Sequence, residues 1–181
     1  MIEEKAVGYF EDGTRYVDYE VLYRNCLNPN WSEWKEVIDV MRSIEEKGSK
    51  SYVYPNSPIK HLLQFLNNYL VERKIVDISN LEWLRNDHDK LTEKKGEAVP
   101  DFVNKNGITY ELKSGKNLEY AALIRNWYGA DRKLFYCTSD NNLYLYDSDT
   151  NSFRMIKRGL RAPYINIRRF DNLEAQIMKK I

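Results

Sequence analysis

Apolar positions recur along the chain in two rhythms, and each predicts a set of elements. Trp34, Val37, Ile38, Met41 and Ile44 fall at helical spacing, with Asn30 and Glu33 as a capping box and Gly48 as the stop. Ser57-Pro58 predicts a second helix with proline in its first position, and its apolar face is Leu62, Phe65, Leu66, Tyr69 and Leu70. Ser79 and Glu82 predict a short third helix to about Asp87. Asn117 predicts the cap of another, with Leu118, Ala121, Ala122, Ile124 and Trp127 inward and Gly129 at its end. The stretch from Tyr16 to Val21 alternates loosely and fits strand or helix. The second rhythm has a period of two. Ile108 to Lys113 alternates apolar and polar, which predicts a strand with Glu111 and Lys113 on one face and Ile108, Tyr110 and Leu112 on the other. Leu134 to Thr138 predicts an apolar strand, and Leu143–Tyr146 with Phe153–Ile156 a hairpin or sheet extension. These elements predict an α/β fold of mixed α+β character, a central mixed β-sheet flanked by helices.

The connection before the 108–113 strand decides what its charges can do. A two-residue Asn106-Gly107 turn pairs Lys105 with Ile108 and sends Asp101 and Glu111 to opposite faces. A three-residue loop, with Gly107 at positive φ, pairs Asn104 with Ile108 and sets Asp101 directly opposite Glu111. Their Cβ atoms would then lie roughly 5 Å apart. We expect the second register.

Composition narrows the classes. The 181 residues read as a single domain: a helical part over about 1–90, a core over about 91–140 and a basic C-terminal part over about 141–181. Hydrophobic residues are 43%, enough for a packed core, so disorder is not expected. With 28 Lys+Arg against 27 Asp+Glu, the net charge of +1 excludes a generally basic nucleic-acid coat. Cys26 and Cys137 form no disulfide framework, and His61 and His88 match no zinc spacing. The start Met1-Ile2-Glu3-Glu4-Lys5 lacks an apolar signal core and no apolar run reaches membrane length, so a cytoplasmic location without membrane contact is expected.

Candidate chemistry gathers around Pro100-Asp101 and Glu111-Leu112-Lys113. Acid-x-lysine is common here, at Glu3, Glu33, Glu45, Glu72, Glu93 and Asp131 as well, but Pro100-Asp101 is the only Pro-Asp in the chain. Two carboxylates on one face suit a hard divalent cation such as Mg²⁺, with the lysine beside it. The plain alternative is a surface hairpin with solvated charges. A second feature is the absence of any acid between Asp149 and Asp171, a window that holds Arg154, Lys157, Arg158, Arg161, Arg168 and Arg169. Arginine pairs phosphate and guanine edges in two-pronged fashion, so this window reads as a DNA-contacting segment, with Lys116 and Lys90–Lys95 as further phosphate contacts.

Pro-Asp, a short gap and Glu-Leu-Lys on the next strand resemble the PD-(D/E)XK nuclease superfamily, most of all the type II restriction endonucleases. The resemblance covers about residues 98–138. It implies a restriction-endonuclease-like sheet, Asp101 and Glu111 as Mg²⁺ ligands, and Lys113 activating water or stabilising transition-state charge. It also implies an acid from an upstream helix, for which Glu72 is the choice and Glu82 and Glu45 are rivals. The expected activity is Mg²⁺-dependent, sequence-specific hydrolysis of duplex DNA, by a monomer or a homodimer. Alternatives are another nuclease of the same core, acting on junctions or in phage or repair processes, and a non-catalytic DNA-binding module.

Overall fold

The computed structural model describes residues 4–27, 33–46, 57–94 and 96–180. In chain order the elements are β1 (Val7–Tyr9), β2 (Arg15–Asp18), α1 (Tyr19–Leu27), α2 (Trp34–Glu46), α3 (Pro58–Ile78), β3 (Glu82–Trp83), β4 (Lys90–Thr92), β5 (Phe102–Val103), β6 (Thr109–Gly115), β7 (Arg132–Cys137), β8 (Asn142–Asp147), β9 (Ser152–Lys157) and α4 (Asp171–Lys180). The class is mixed α and β, with one three-stranded and one six-stranded sheet. The chain divides into two compact units: Met1–Tyr69 with Asp89–Gly96 and Tyr164–Ile181, and Leu70–His88 with Glu97–Pro163.

In the first unit β2 lies between β1 and β4, antiparallel to both. The ambiguous stretch at 16–21 is both strand and helix. Asp18 ends β2 and its carboxylate accepts the Glu20 and Val21 amides at 2.9 and 3.1 Å, so it caps α1. The stripe Trp34, Val37, Ile38 and Met41 is buried as expected. Asn30 and Gly48, its proposed cap and stop, lie outside the described residues. Pro58 opens α3, and the buried Glu174 of α4 accepts the Ile59 amide at 3.2 Å, a carboxylate on free N–H groups at a helix start.

The second unit holds the six-stranded sheet, ordered β3-β5-β6-β7-β8-β9. Only β6 and β7 run parallel, and every other neighbouring pair is antiparallel. Both faces are covered. Val71 and Ile75 of α3 pack with Phe102, Leu112, Leu134, Tyr136, Leu143 and Leu160 on one side, while Ala121, Phe135 and Cys137 form a cluster on the other. Successive residues of β7 thus serve opposite cores, as the pleat requires.

Two helix expectations fail for physical reasons. Ser79 does not start a helix: its hydroxyl donates to the Ile75 carbonyl and accepts the Leu81 amide, ending α3, and the chain continues into β3. After Asn117 the chain forms a short 3-10 helix, Leu118–Leu123, and the Asn117 side chain makes no capping bond. The residues it turns to the core are Leu118, Ala121 and Ile124, spaced every three residues, which is the 3-10 repeat. No helix among the described residues is long and apolar enough to cross a membrane.

Candidate metal centre

The site is built on the 101–113 hairpin. Phe102 pairs with Tyr110 and Val103 with Thr109, and the Asn104 amide donates to the Ile108 carbonyl at 3.0 Å. This is the three-residue register. Gly107 has φ +79°, where a side chain would strain the backbone, and the Asn104 carboxamide accepts the Asn106 and Ile108 amides. The next rung of the ladder would bring the Leu112 amide to Pro100. Instead the Asp101 carboxylate accepts that amide at 2.9 Å. Pro100 has no N–H to return, so the strand can leave the sheet there and Asp101 can turn into the site.

Asp101 and Glu111 meet as paired carboxyls on the face away from Leu112. Glu111 is only 4% exposed. Its Oε2 lies 3.4 Å from Lys113 Nζ, while its Oε1 is buried without a hydrogen-bond partner. From α3, Glu72 reaches the same place, and its Oε1 lies 2.7 Å from His88 Nε2. His88 Nε2 is also 3.7 Å from Asp101 Oδ1. One ligand atom each from Glu72, His88 and Asp101 lie within 4.8 Å of one another, close enough to hold a metal ion together. The Trp83 ring of β3 stacks on the His88 imidazole at 5.8 Å and 18°, fixing its plane. Lys113 is held from the far side by the Tyr128 ring, 4.8 Å from Nζ, and Tyr128 occupies the left-handed region at φ 54°. Such a backbone costs about 1–3 kcal/mol and persists only where its surroundings impose it.

The electrostatics follow from this crowding. Burial pushes the Asp101 carboxyl well above its ordinary value, and the Glu72 charge adds to that, against the Leu112 amide and His88. Burial also pushes Glu111 up, with Asp101 next, while Lys113 opposes both. For His88 burial works against the imidazolium, but the Glu72 hydrogen bond and the charges of Glu72 and Asp101 outweigh it and raise the pKa. These acids lack enough positive charge among themselves. A cation fits that deficit and would give Glu111 Oε1 a partner.

Of the predicted site residues, Asp101 is the meeting point: Glu111 with Lys113 adjoins it on one side and Glu72 on the other. Glu82 is exposed on β3 and is not in the group, and the Glu45 side chain lies outside those described. His88 was not anticipated. It follows β3 in a turn, with no spacing motif to mark it, and only the fold brings it to Glu72. Lys116 is exposed just after β6. All six cations of the basic window are exposed. Arg154 stands 4.0 Å from Asp147, while Lys157, Arg158 and Arg161 make no ion pair among the described residues. These four belong to the second unit, and Arg168 and Arg169 to the first. Of the residues at 90–95, Lys90 forms part of β4 and pairs with Asp89, Lys94 pairs with Asp12, and Lys95 lies outside the described residues. No protein-family model, no curated protein and no solved structure matches the chain.

Proposed function

We propose that this chain is a metal-dependent phosphodiester hydrolase acting on DNA. The observation that carries the reading is the pairing of two buried carboxyls, Glu111 and Asp101, beside Lys113 and within reach of Glu72 and His88. Glu72, His88 and Asp101 would hold the ion, with Glu111 beside Asp101 as a further carboxylate; the carboxylates suit Mg²⁺ and the His88 nitrogen also suits Mn²⁺. A divalent cation bound there polarises a phosphoryl oxygen and acidifies water. Lys113, pinned between Glu111 and Tyr128, is placed to neutralise charge that develops on the phosphate during attack. The exposed Arg154, Lys157, Arg158 and Arg161 would anchor the DNA backbone.

Within this reading, sequence-specific cutting of duplex DNA is the form the Pro-Asp and Glu-Leu-Lys pattern suggests. The test is incubation of supercoiled plasmid, of flapped duplex and of single-stranded DNA with Mg²⁺, with Mn²⁺ and with chelator, for the wild type and Lys113→Ala. Metal-dependent cleavage lost in the variant is expected, and discrete fragments mapping to one short sequence would identify a restriction-type enzyme. Absence of cleavage of plasmid, of flapped duplex and of single-stranded DNA with either metal, or full cleavage by the variant, would defeat the proposal.

A further inference from the structure

A cross-strand row on one face of the six-stranded sheet leads away from the metal centre. Glu111 of β6 pairs beside Lys133 of β7, the Lys133 ammonium lies over the Tyr146 ring of β8, and Tyr146 pairs opposite Phe153 of β9, so the row crosses four neighbouring strands, with Asp101 adjoining it at Glu111 from just before β5. Its far end opens into a groove of about 550 Å³, within the range of ligand sites. Trp127, Tyr146 and Phe153 line it, with Lys133 and Arg125 among them and Glu119 at its wall. Phe153 is the hub of the rings, 5.4 Å from Tyr146 and 6.1 Å from Trp127. Lys133 Nζ lies 4.8 Å from the Tyr146 ring centre and 5.6 Å from that of Trp127.

We infer that this groove receives an unpaired base of a DNA strand whose neighbouring phosphate lies at the metal centre. The inference rests on the hydrolase reading above but replaces the intact duplex, which the sequence pattern suggests, with DNA carrying a single-stranded segment beside the cut, such as a flap, overhang or branch. Three observations support it. The lining offers ring faces together with cations, so its complement is a flat aromatic body carrying negative charge, which is a nucleotide. A cationic ligand is disfavoured, because Lys133 already places its own charge between the rings. The row also fixes the distance. Strands lie about 4.8 Å apart, so Tyr146 sits roughly 10 Å from Glu111, within reach of an adjacent nucleotide. A base inside a duplex has both faces covered by its neighbours and cannot stack on protein rings unless it leaves the helix. On binding, Lys133 would turn from the rings to the phosphate, and Glu119 can accept an exocyclic amino group of the base.

The test measures binding in chelator, where cleavage cannot interfere. A single-stranded oligonucleotide and a flapped duplex, each with 2-aminopurine in the unpaired segment, are compared with a blunt duplex. Quenching of the probe and preference for the unpaired substrates are expected. Tyr146→Ala and Trp127→Ala should weaken single-strand binding by roughly 5- to 150-fold, the range of base–aromatic stacking, and leave the blunt duplex unchanged. Tyr146→Phe keeps the ring and should bind like wild type. Arg125→Ala, at an exposed position that does not hold the core, should weaken the unpaired substrates alone. Equal affinity for blunt and single-stranded DNA, or single-strand affinity untouched by Arg125→Ala and both ring variants, overturns the inference. Ring-dependent binding without cleavage in any metal would instead defeat the hydrolase reading and leave the base site standing. Metal-dependent cleavage indifferent to the rings would do the reverse.

Discussion

The Glu93 and Glu111 side chains are 9% and 6% exposed, Glu111 lying deeper, and the two carboxyls are shifted in opposite directions. Burial tends to raise Glu93, but the Arg15 amide at 2.8 Å, the Ser43 hydroxyl and the Arg15 guanidinium outweigh it and pull the carboxyl down to about 2. Glu111 is pushed up first by burial, and the charge and hydrogen bond of Asp101 add to this against its one cation, Lys113. The difference separates two uses of a buried acid. One is fully supplied with donors from its own chain and ties β2 to the end of β4. The other has an acid for a neighbour and a single cation to offset it, which under the proposed function leaves room for a metal ion.

Exchanging each acid for its amide should produce opposite losses. Glu111→Gln is expected to reduce DNA cleavage by at least about 100-fold, since loss of a metal ligand exceeds the 10–100-fold cost of weakening its supports. Its urea midpoint should not fall, because a crowded acid has been replaced by a neutral group. Glu93→Gln should leave the chemistry intact and lower stability by about 1.5–3 kcal/mol, the worth of hydrogen bonds to a charged group. Reversal of either pattern in parallel activity and urea titrations would erase the distinction between the two acids.

Metal should act on one acid only. A cation that binds the folded protein alone stabilises it by about 2.7 kcal/mol at a hundred times its dissociation constant. For a chain of this size that is roughly 5–10 °C in melting temperature. The shift should vanish in Glu111→Gln and persist in Glu93→Gln, as read by thermal melts with Mn²⁺ and Mg²⁺.

The pH dependence should carry both signs. Glu93 is depressed to about 2, so its stabilisation is present above the ordinary glutamate value and is lost as pH falls toward 2. Asp101, Glu111 and His88 are raised, so in the metal-free protein they hold protons that the unfolded chain has already lost. Stability should therefore rise with pH up to about 4.5 and then decline as the raised groups ionise, by about 1.4 kcal/mol per pH unit for each extra proton held. Urea midpoints across pH 2–9 measure both limbs, and saturating metal should flatten the upper one.

The smallest effects belong to the exposed cations. Alanine at Arg154, Lys157, Arg158 or Arg161 should leave stability unchanged and lower the salt dependence of DNA affinity by about 0.9 for each phosphate no longer neutralised. A base-reading arginine would instead cost roughly 1–3 kcal/mol on a preferred sequence alone.

Much of the centre was legible because local rules dictated it. Gly107 and the parity of the loop gave the register and the alternation of Ile108 to Lys113 gave the face, whereas Glu72 was pointed to only by the family resemblance, with Glu82 and Glu45 as rivals. His88 was not legible, since a histidine in a turn acquires meaning only when α3 and β5 are brought to it. Ser79 misled because a serine hydroxyl serves either end of a helix, and here it closes α3 on the Ile75 carbonyl. The stretch after Asn117 misled because positions three apart fit a 3-10 turn as well as an α-helix, and the distinction lies in the chain's departure at Ile124.

The turn at Lys105-Asn106-Gly107 has a consequence for how such a chain can change. Exposed hairpin tips ordinarily accept insertions and deletions freely. Here the count of residues in the tip sets which side of the sheet Asp101 faces. Removing Lys105 would leave an Asn-Gly turn that strands accept readily, so the protein could remain folded while its paired acids were parted. Point changes in this tip are cheap so long as Gly107 stays, whereas a change of one in its length is costly. A surface loop that touches nothing in the site can thus be silent to substitution and intolerant of a single-codon deletion.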